Sequence, residues 1–329
     1  MNAKNPIVRT PLPIKNLILR NRLVLPPMAT GLSKGESNVA KRYAAYYGDK
    51  SADQALGLIT VEHMYVLPSG RAALNQLGIS KDTNVAELVQ ISQACHANQT
   101  PLFAQISHAG SRSKENEIGM LPLSPSPCPD KEVKVMDQQD IDAVIDGFKQ
   151  AARRAKEAGF DGVEIHSAHG YLLDQFYSPL TNTRTDEYGG SLENRIRLHR
   201  QIIQAVREAV GDDFPVSLRL GACDYMDGGA TIEDGVMAAK IFEQDGIDLI
   251  SVSGGLCGPF KFQSKEPGYF KDASSAIKKA VAIPVLLTGG VTTGAQAEEL
   301  LEEDAADLIG VGRAELKDSH WAKKQLEAL

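Results

Sequence analysis

The stretch DQQDIDAVIDGFKQAARRAKEAGFDGVEIHSAHG, residues 137–170, contains a helix signal followed directly by a strand signal. Its apolar residues first recur every three or four positions, which predicts an amphipathic helix over 137–159 that ends at Gly159. The apolar positions are Ile141, Val144, Ile145 and Phe148. The run GVEIHSA at 162–168 is apolar without strict alternation, which is typical of a strand buried on both faces of a parallel sheet.

Seven further short, apolar and β-branched runs lie along the chain, separated by helix-like sequence. The eight predicted strands are 23–29, 57–63, 101–108, 162–168, 215–222, 248–254, 284–290 and 308–313. A second clear helix is predicted over 191–211, from an N-cap at Ser191 to Gly211. Eight strands that alternate with helices predict the α/β fold called a (β/α)8 TIM barrel.

A doubly wound Rossmann sheet is the main alternative fold. It normally carries a glycine-rich dinucleotide fingerprint after its first strand, and none is found there. The run GVGRAE at 310–315 has Glu315 in place of the third glycine and lies at the last strand instead. The pattern therefore favours the barrel.

The chain of 329 residues suits one barrel domain over 1–329, with a long proline-containing loop at about 109–136 that we expect to cover a site. The net charge of −7 disfavours nucleic acid and anionic membranes as partners. No apolar run has the roughly 18 residues that a membrane span needs, and the N-terminus lacks a signal-peptide core. The four cysteines are widely spaced, so we expect no bound metal and a cytoplasmic location.

The loops after strands seven and eight carry a candidate phosphate site. Barrels often bind phosphate there, because bare glycine backbone can approach an oxyanion and an arginine adds a guanidinium fork. The residues concerned are Gly289, Gly290, Gly312 and Arg313. The alternative is that the glycines only form tight turns and that the arginine caps a helix.

Two polar residues lie within the third and fifth strands. Arg219 in the run SLRLGA needs an electron-rich partner if it points into the barrel, and a reduced flavin with negative charge over N1 and O2 is one. An ion pair with Glu164 or Glu62 is the alternative. Gln105 offers both an amide donor and an acceptor to a flavin pyrimidine edge or to other polar groups of the barrel.

The carboxyl end of the fourth strand provides His166, and His169 and Tyr171 follow it, at the end of a barrel where catalytic residues lie. Two imidazole donors that converge on one carbonyl oxygen would polarise it, and a phenol beside them would supply a proton. A metal pair, with His63 or His108 as a third ligand, and a purely structural pair are the alternatives that remain open.

The stretch EIHSAHGYLLDQFYSPLTNTRTDEYGGSLENRIRL resembles the fourth-strand signature of the old yellow enzyme family of FMN-dependent NAD(P)H oxidoreductases. The likeness extends over the chain through NRLVLPPMA, QISHAG, SLRLGACDY and LIGVGRAEL. It implies a ping-pong reaction in which NADH or NADPH reduces FMN and leaves. An electrophilic alkene, an α,β-unsaturated carbonyl or nitro compound, then takes the hydride on its β-carbon.

The resemblance also implies residue roles. His166 and His169 bind the acceptor oxygen, and Tyr171 protonates the α-carbon. The residues implied to bind FMN are Pro27, Met28, Ala29, His63, Gln105, Arg219, Gly289, Gly290, Gly312 and Arg313. A barrel lyase or isomerase that depends on a metal or on phosphate, and a flavin-binding sensor without useful turnover, are the alternative functions. A homo-oligomer is left open.

Three positions depart from the family pattern. Ala29 stands where many relatives have a Thr or Cys that tunes the flavin, and Gly31 lies near the place of a substrate-contacting Tyr in one branch. His63 stands where many relatives have Ala or Gly, with its side chain either toward the flavin or turned away. The acceptor pocket is expected to be built by the loops 31–37, 64–75, 109–136 and 255–270.

Overall fold

The computed structural model describes residues 6–33 and 39–329, so the part 34–37 of the first predicted pocket loop lies outside the described residues. Eight parallel strands form a closed barrel in chain order. They are β1 Leu23–Leu25, β2 Leu58–Tyr65, β3 Leu102–Ser107, β4 Gly162–Ser167, β5 Val216–Cys223, β6 Leu249–Gly254, β7 Val285–Thr288 and β8 Leu308–Gly310. β8 closes the barrel by pairing with β1. The predicted (β/α)8 fold is confirmed, with each strand within a few residues of its predicted place.

A helix of at least eight residues follows each strand along the chain. These helices are α1 Val39–Ser51, α2 Asn84–His96, α3 Gln138–Glu157, α4 Arg197–Val210, α5 Ile232–Gln244, α6 Lys271–Lys278, α7 Gly294–Glu302 and α8 Trp321–Ala328. In α3 the predicted apolar face packs inward, with Ile141, Val144 and Phe148 fully buried. Asp137 caps its first turn, and Gly159 follows its C-cap at φ +79°.

The helix predicted over 191–211 is interrupted. A short helix, Leu192–Arg195, precedes α4, and Ile196 between them has φ −93° and ψ 1°. Arg195 donates from Nε to the carbonyl of Tyr177 over 2.8 Å, which ties the short helix to the end of the preceding helix Leu172–Tyr177. The sequence has neither Pro nor Gly at this place, so helix rules do not detect the interruption.

The segment 109–136, predicted as irregular, contains short elements. They are a 3-10 turn Gly110–Arg112, a helical turn Glu115–Ile118 and a two-residue parallel pair of Leu123–Ser124 with Lys134–Val135. Elements of two to four residues are too short for a hydrophobic period, which is why the sequence does not predict them.

A hairpin that the sequence did not predict covers the amino end of the barrel. Its strands, Leu12–Ile14 and Leu17–Leu19, pair antiparallel across a turn in which Lys15 has φ +53°. Ile14 and Leu19 join a buried cluster of inward-facing strand residues. That cluster contains Val24, Leu58, Phe103, Leu249, Leu286 and Leu308. The opposite, carboxyl end of the strands is therefore the end left for a site.

The helices within residues 6–33 and 39–329 were compared with what a membrane-spanning helix requires. None of them combines the length and the apolar composition that crossing a bilayer would require.

Candidate active site

A cavity of about 450 Å³ lies at the carboxyl ends of the barrel strands. It brings together the thirteen residues that the sequence assigned to FMN or to the acceptor. These are Pro27, Met28, Ala29, His63, Gln105, His166, His169, Tyr171, Arg219, Gly289, Gly290, Gly312 and Arg313.

His166, His169 and Tyr171 form one aromatic group in this cavity. The ring centroid of His166 lies 5.2 Å from that of His169 and 5.0 Å from that of Tyr171. His169 Nε2 is 2.7 Å from Ser253 Oγ, which fixes its ring. The Nδ1 atom of His166 is buried and has no hydrogen-bond partner among the described residues. A buried nitrogen without a partner is costly unless a ligand satisfies it.

The turn after β4 sets this geometry. His169 has φ +61° and Gly170 φ +72°, so two successive residues are left-handed. The amide of Gly170 donates to Asp174 Oδ2 over 2.6 Å. Asp174 is fully buried, and burial together with nearby Asp224 raises its carboxyl pKa well above the ordinary value. The buried Asp174 carboxyl therefore holds the turn in place through its hydrogen bond with the Gly170 amide.

Burial controls the charge of the two histidines. It lowers the pKa of both imidazoles well below 6.5, with His169 adding to the effect at His166 and Arg219 adding to it at His169. Both rings are therefore neutral at neutral pH. A neutral imidazole carries one N–H, so each ring can donate one hydrogen bond to an oxygen.

Tyr171 keeps its proton in this environment. Burial raises the pKa of its phenol, while the positive charge of Arg112 acts in the opposite direction. The hydroxyl is therefore a neutral donor at neutral pH, close to the histidine pair.

The side chain of His63 points into the cavity and is not turned away from it. Gln76 Nε2 lies 2.8 Å from His63 Nδ1. Because the amide nitrogen can only donate, Nδ1 accepts and the ring proton lies on Nε2. Burial lowers the pKa of His63 to about 4. Its ring centroid is 5.4 Å from that of Tyr171, so His63 is a neutral neighbour of the histidine–tyrosine group.

Arg219 also points inward. Its Nη2 lies 3.3 Å from Thr288 Oγ1, whereas Nε and Nη1 are buried without a partner among the described residues. No ion pair with Glu164 or Glu62 forms, since Glu164 accepts from Gln105 Nε2 over 2.8 Å and Glu62 accepts from the amide of Thr30. The negative charge of Glu164 still offsets part of the burial penalty that lowers the pKa of Arg219.

Two glycines after β7 leave bare backbone in the cavity wall. Gly289 has φ +132° and Gly290 φ +73°. A Cβ atom at Gly290 would lie 2.0 Å from the carbonyl oxygen of Glu266, and one at Gly289 would lie 2.6 Å from the ring of Tyr269. Only glycine fits at these positions. Arg313 begins the short helix after β8 and is exposed beside them in the cavity lining.

Some cavity residues were not predicted, and one candidate turns away. Arg112, Thr288, Tyr269 and Phe260 line the cavity without having been singled out. His108, considered as a third metal ligand, is instead buried with Nδ1 accepting from the amide of Gly110 over 3.0 Å. Tyr269 has a sequence signal, since an aromatic residue follows glycine just before α6, but its direction depends on the tertiary fold.

Metal ligation lacks support in residues 6–33 and 39–329. In that part of the chain, no three histidine, cysteine, aspartate or glutamate side chains are grouped so that they could hold a metal ion.

Fold and cavity together define a (β/α)8 barrel with glycine backbone, arginine side chains and neutral hydrogen-bond donors around one cavity. The family model for the NADH:flavin oxidoreductase / NADH oxidase family matches residues 8–329. The chain belongs to this family. Membership confirms the predicted class of NAD(P)H-dependent flavin oxidoreductase and its FMN cofactor.

Individual relatives agree with this assignment. An NADH oxidase from Thermoanaerobacter brockii is 38% identical over 327 residues, which cover 95% of this chain and 50% of that protein. An NADPH dehydrogenase from Halalkalibacterium halodurans is 38% identical over 312 residues, which cover 94% of this chain and 91% of that protein. The chain thus spans half the length of the first relative and nearly all of the second.

A solved structure gives the same result for the fold. The old yellow enzyme homologue from Zymomonas mobilis superposes with a TM-score of 0.83 at 27% identity. The superposition covers 98% of this chain and 93% of that one.

The residues around the cavity fit FMN. The unpartnered Nε and Nη1 atoms of Arg219 suit the electron-rich edge of a reduced flavin. The bare backbone of Gly289 and Gly290 and the guanidinium of Arg313 suit its phosphate.

Proposed function

We propose that this protein uses NADH or NADPH to reduce the C=C bond of α,β-unsaturated carbonyl or nitro compounds. Bound FMN would supply the hydride-transfer chemistry that links the nicotinamide to the alkene. The nicotinamide and the alkene occupy the same cavity in turn, which suits a chain without a separate dinucleotide fingerprint.

The cofactor is held by two groups of residues in this proposal. Gly289, Gly290, Gly312 and Arg313 bind the phosphate. The ring would contact Pro27, Met28, Ala29 and His63, and Gln105 and Arg219 would meet its polar edge. Gln105 Nε2 already donates one hydrogen to Glu164, so its second N–H and its carbonyl oxygen remain for the ring. Arg219 stabilises the negative charge of the reduced ring.

The acceptor oxygen is held by His166 and His169. Neutral imidazoles donate without the cost of burying a second cation near Arg219, and their hydrogen bonds strengthen as negative charge develops on the oxygen. Tyr171 then gives its proton to the α-carbon, and solvent returns one to the phenol. Because burial raises the pKa of this phenol, the hydroxyl is protonated at neutral pH and has a proton to give.

One observation carries the proposal more than the others. A buried, unpartnered Nδ1 of His166 lies beside Tyr171, in the same cavity as the unpartnered guanidinium atoms of Arg219. Unsatisfied donors for an oxyanion, a proton source and a cation for an electron-rich ring together match reduction of an activated alkene.

Anaerobic turnover with NADPH and 2-cyclohexenone tests this function. We expect the yellow holoenzyme to consume NADPH and release cyclohexanone in equal amounts. A lyase or isomerase would leave NADPH unconsumed. A sensor would be reduced once and then stop, so either result would refute the proposal.

A further inference from the structure

Arg112 lies in the cavity wall with a defined orientation. It ends the 3-10 turn Gly110–Arg112 after β3, and its Nε donates to the carbonyl of Gly170 over 3.2 Å. A Cβ atom at Gly170 would come within 2.7 Å of Arg112 Nε and Nη2, so the guanidinium packs on bare backbone. That backbone belongs to the turn that carries His169 and Tyr171.

Arg112 forms no ion pair with any residue that the structure describes, and no aspartate or glutamate lines the cavity. Arg200 at the surface differs, because it pairs with Asp245 at 2.7 Å. The positive charge of Arg112 acts to lower the pKa of the Asp174 carboxyl. Burial outweighs this effect and raises that pKa, so the neutral form of Asp174 is favoured. In a chain with a net charge of −7, this leaves a positive group facing the cavity.

The other two arginines of the cavity already have roles in the proposed function. Arg313 serves the phosphate and Arg219 the flavin ring. Arg112 instead contacts the turn of Tyr171, the residue that acts only while an acceptor is being reduced. Its position therefore relates it to the acceptor and not to the cofactor.

We propose that Arg112 binds a carboxylate of the acceptor, so that the preferred substrates are unsaturated carbonyl compounds that also carry a carboxylate. The inference rests on the proposed function and names the substrate class of the same site. Nη1 and Nη2 form the fork that matches the two carboxylate oxygens. No covalent bond changes at Arg112; NAD(P)H, a proton and the alkene give NAD(P)⁺ and the saturated acid.

A matched pair of acceptors tests this inference. The acid 4-oxopent-2-enoate and its methyl ester have the same ketone and alkene, and only the acid has a charge. Holoenzymes of the wild type, Arg112→Gln and Arg112→Lys are compared by kcat/KM, with Arg200→Gln as a control at an exposed arginine on α4.

We expect Arg112→Gln to lower kcat/KM for the acid about tenfold, mainly through KM, with the ester nearly unaffected. Arg112→Lys should recover part of the loss, because the charge is kept and the fork is not. Arg200→Gln should match the wild type. Flavin reduction by NADH and by NADPH should be unchanged in each variant.

Equal losses for acid and ester would overturn the inference, since Arg112 would then only support the turn. A loss confined to flavin reduction by the dinucleotides would also overturn it, because the cation would serve their phosphates. A wild type that reduces neither acceptor would contradict the proposed function itself, which separates the two failures.

Discussion

The protonation of a few buried side chains decides what the cavity can do. His166 and His169 are neutral because burial lowers their pKa, and Tyr171 is neutral because burial raises its pKa. The group therefore offers hydrogen-bond donors without net charge. The positive charge comes from Arg112, Arg219 and Arg313, which line the same space.

Replacing Tyr171 by Phe should separate the two halves of the reaction. The acceptor half needs the phenolic proton, so we expect 2-cyclohexenone reduction to slow by roughly 10² to 10⁴, less if solvent substitutes. Flavin reduction by NADPH should keep its wild-type rate. Single-turnover kinetics of each half measure this, and equal slowing of both halves would assign Tyr171 another role.

The site residues were predictable from sequence where they lie within a barrel strand or directly after one. The places of His166, His169 and Arg219 depend on strand order alone. The direction of His63 was not predictable, because it depends on a hydrogen bond from Gln76, thirteen residues away in the chain. Arg112 was missed for a similar reason: its orientation comes from the carbonyl of Gly170.

At the scale of elements, the loop after β7 is the most constrained part of the cavity. Gly290→Ala would place Cβ 2.0 Å from the carbonyl oxygen of Glu266, in addition to the strain at φ +73°. The backbone must shift, so we expect the affinity for FMN to fall at least about tenfold, on the order of 1.4 kcal/mol. Fluorescence titration of apoprotein with FMN measures the change.

Gly119→Ala is the matched control. Gly119 also has φ +73°, but a Cβ atom added there would meet nothing within 4 Å, and the residue does not line the cavity. The substitution should cost about 1 kcal/mol of stability from strain and leave FMN affinity unchanged. If both variants weaken FMN binding equally, the glycines do not act through the shape of the phosphate loop.

The elements themselves were predictable to different degrees. The barrel strands are continuous apolar runs, which is a strong signal. The hairpin Leu12–Ile14 with Leu17–Leu19 was missed, because its strands have three residues each and Lys15 occupies a left-handed turn position without being a usual turn residue. Packing, rather than local sequence, determines both this hairpin and the interruption at Ile196.

At the scale of the whole molecule, Glu315 connects the segment after β8 with α1 and α8 through hydrogen bonds. It is fully buried after β8, with Oε1 accepting from the amide of Ala322 at 2.9 Å and Oε2 without a partner among the described residues. Lys50 of α1 donates to its carbonyl oxygen. Burial raises the pKa of the Glu315 carboxyl to about 7.

This raised pKa predicts a pH dependence of stability. Below the ordinary value of 4.5 the carboxyl is neutral in both the folded and the unfolded chain, and above about 7 it is ionised in both. The folded state therefore loses up to about 3 kcal/mol from this group as pH rises through that window. Glu315→Gln stays neutral and should be increasingly more stable than the wild type between about pH 5 and about pH 8.

Denaturant unfolding of the holoenzyme at several pH values measures the difference between wild type and variant. Glu302→Gln, at an exposed acid on α7, is the control and should show no such trend. A difference between Glu315→Gln and the wild type that stays constant with pH would contradict the raised pKa.

The central claim is that His166 and His169 hold the oxygen of an alkene acceptor in a cavity that also binds FMN. Anaerobic stopped-flow mixing of NADPH-reduced holoenzyme with 2-cyclohexenone tests it most directly, in the wild type and in the double variant His166→Ala with His169→Ala. We predict rapid flavin reoxidation in the wild type and much slower reoxidation in the double variant, which still binds FMN and is still reduced by NADPH. Equally fast reoxidation in both proteins would contradict the claim.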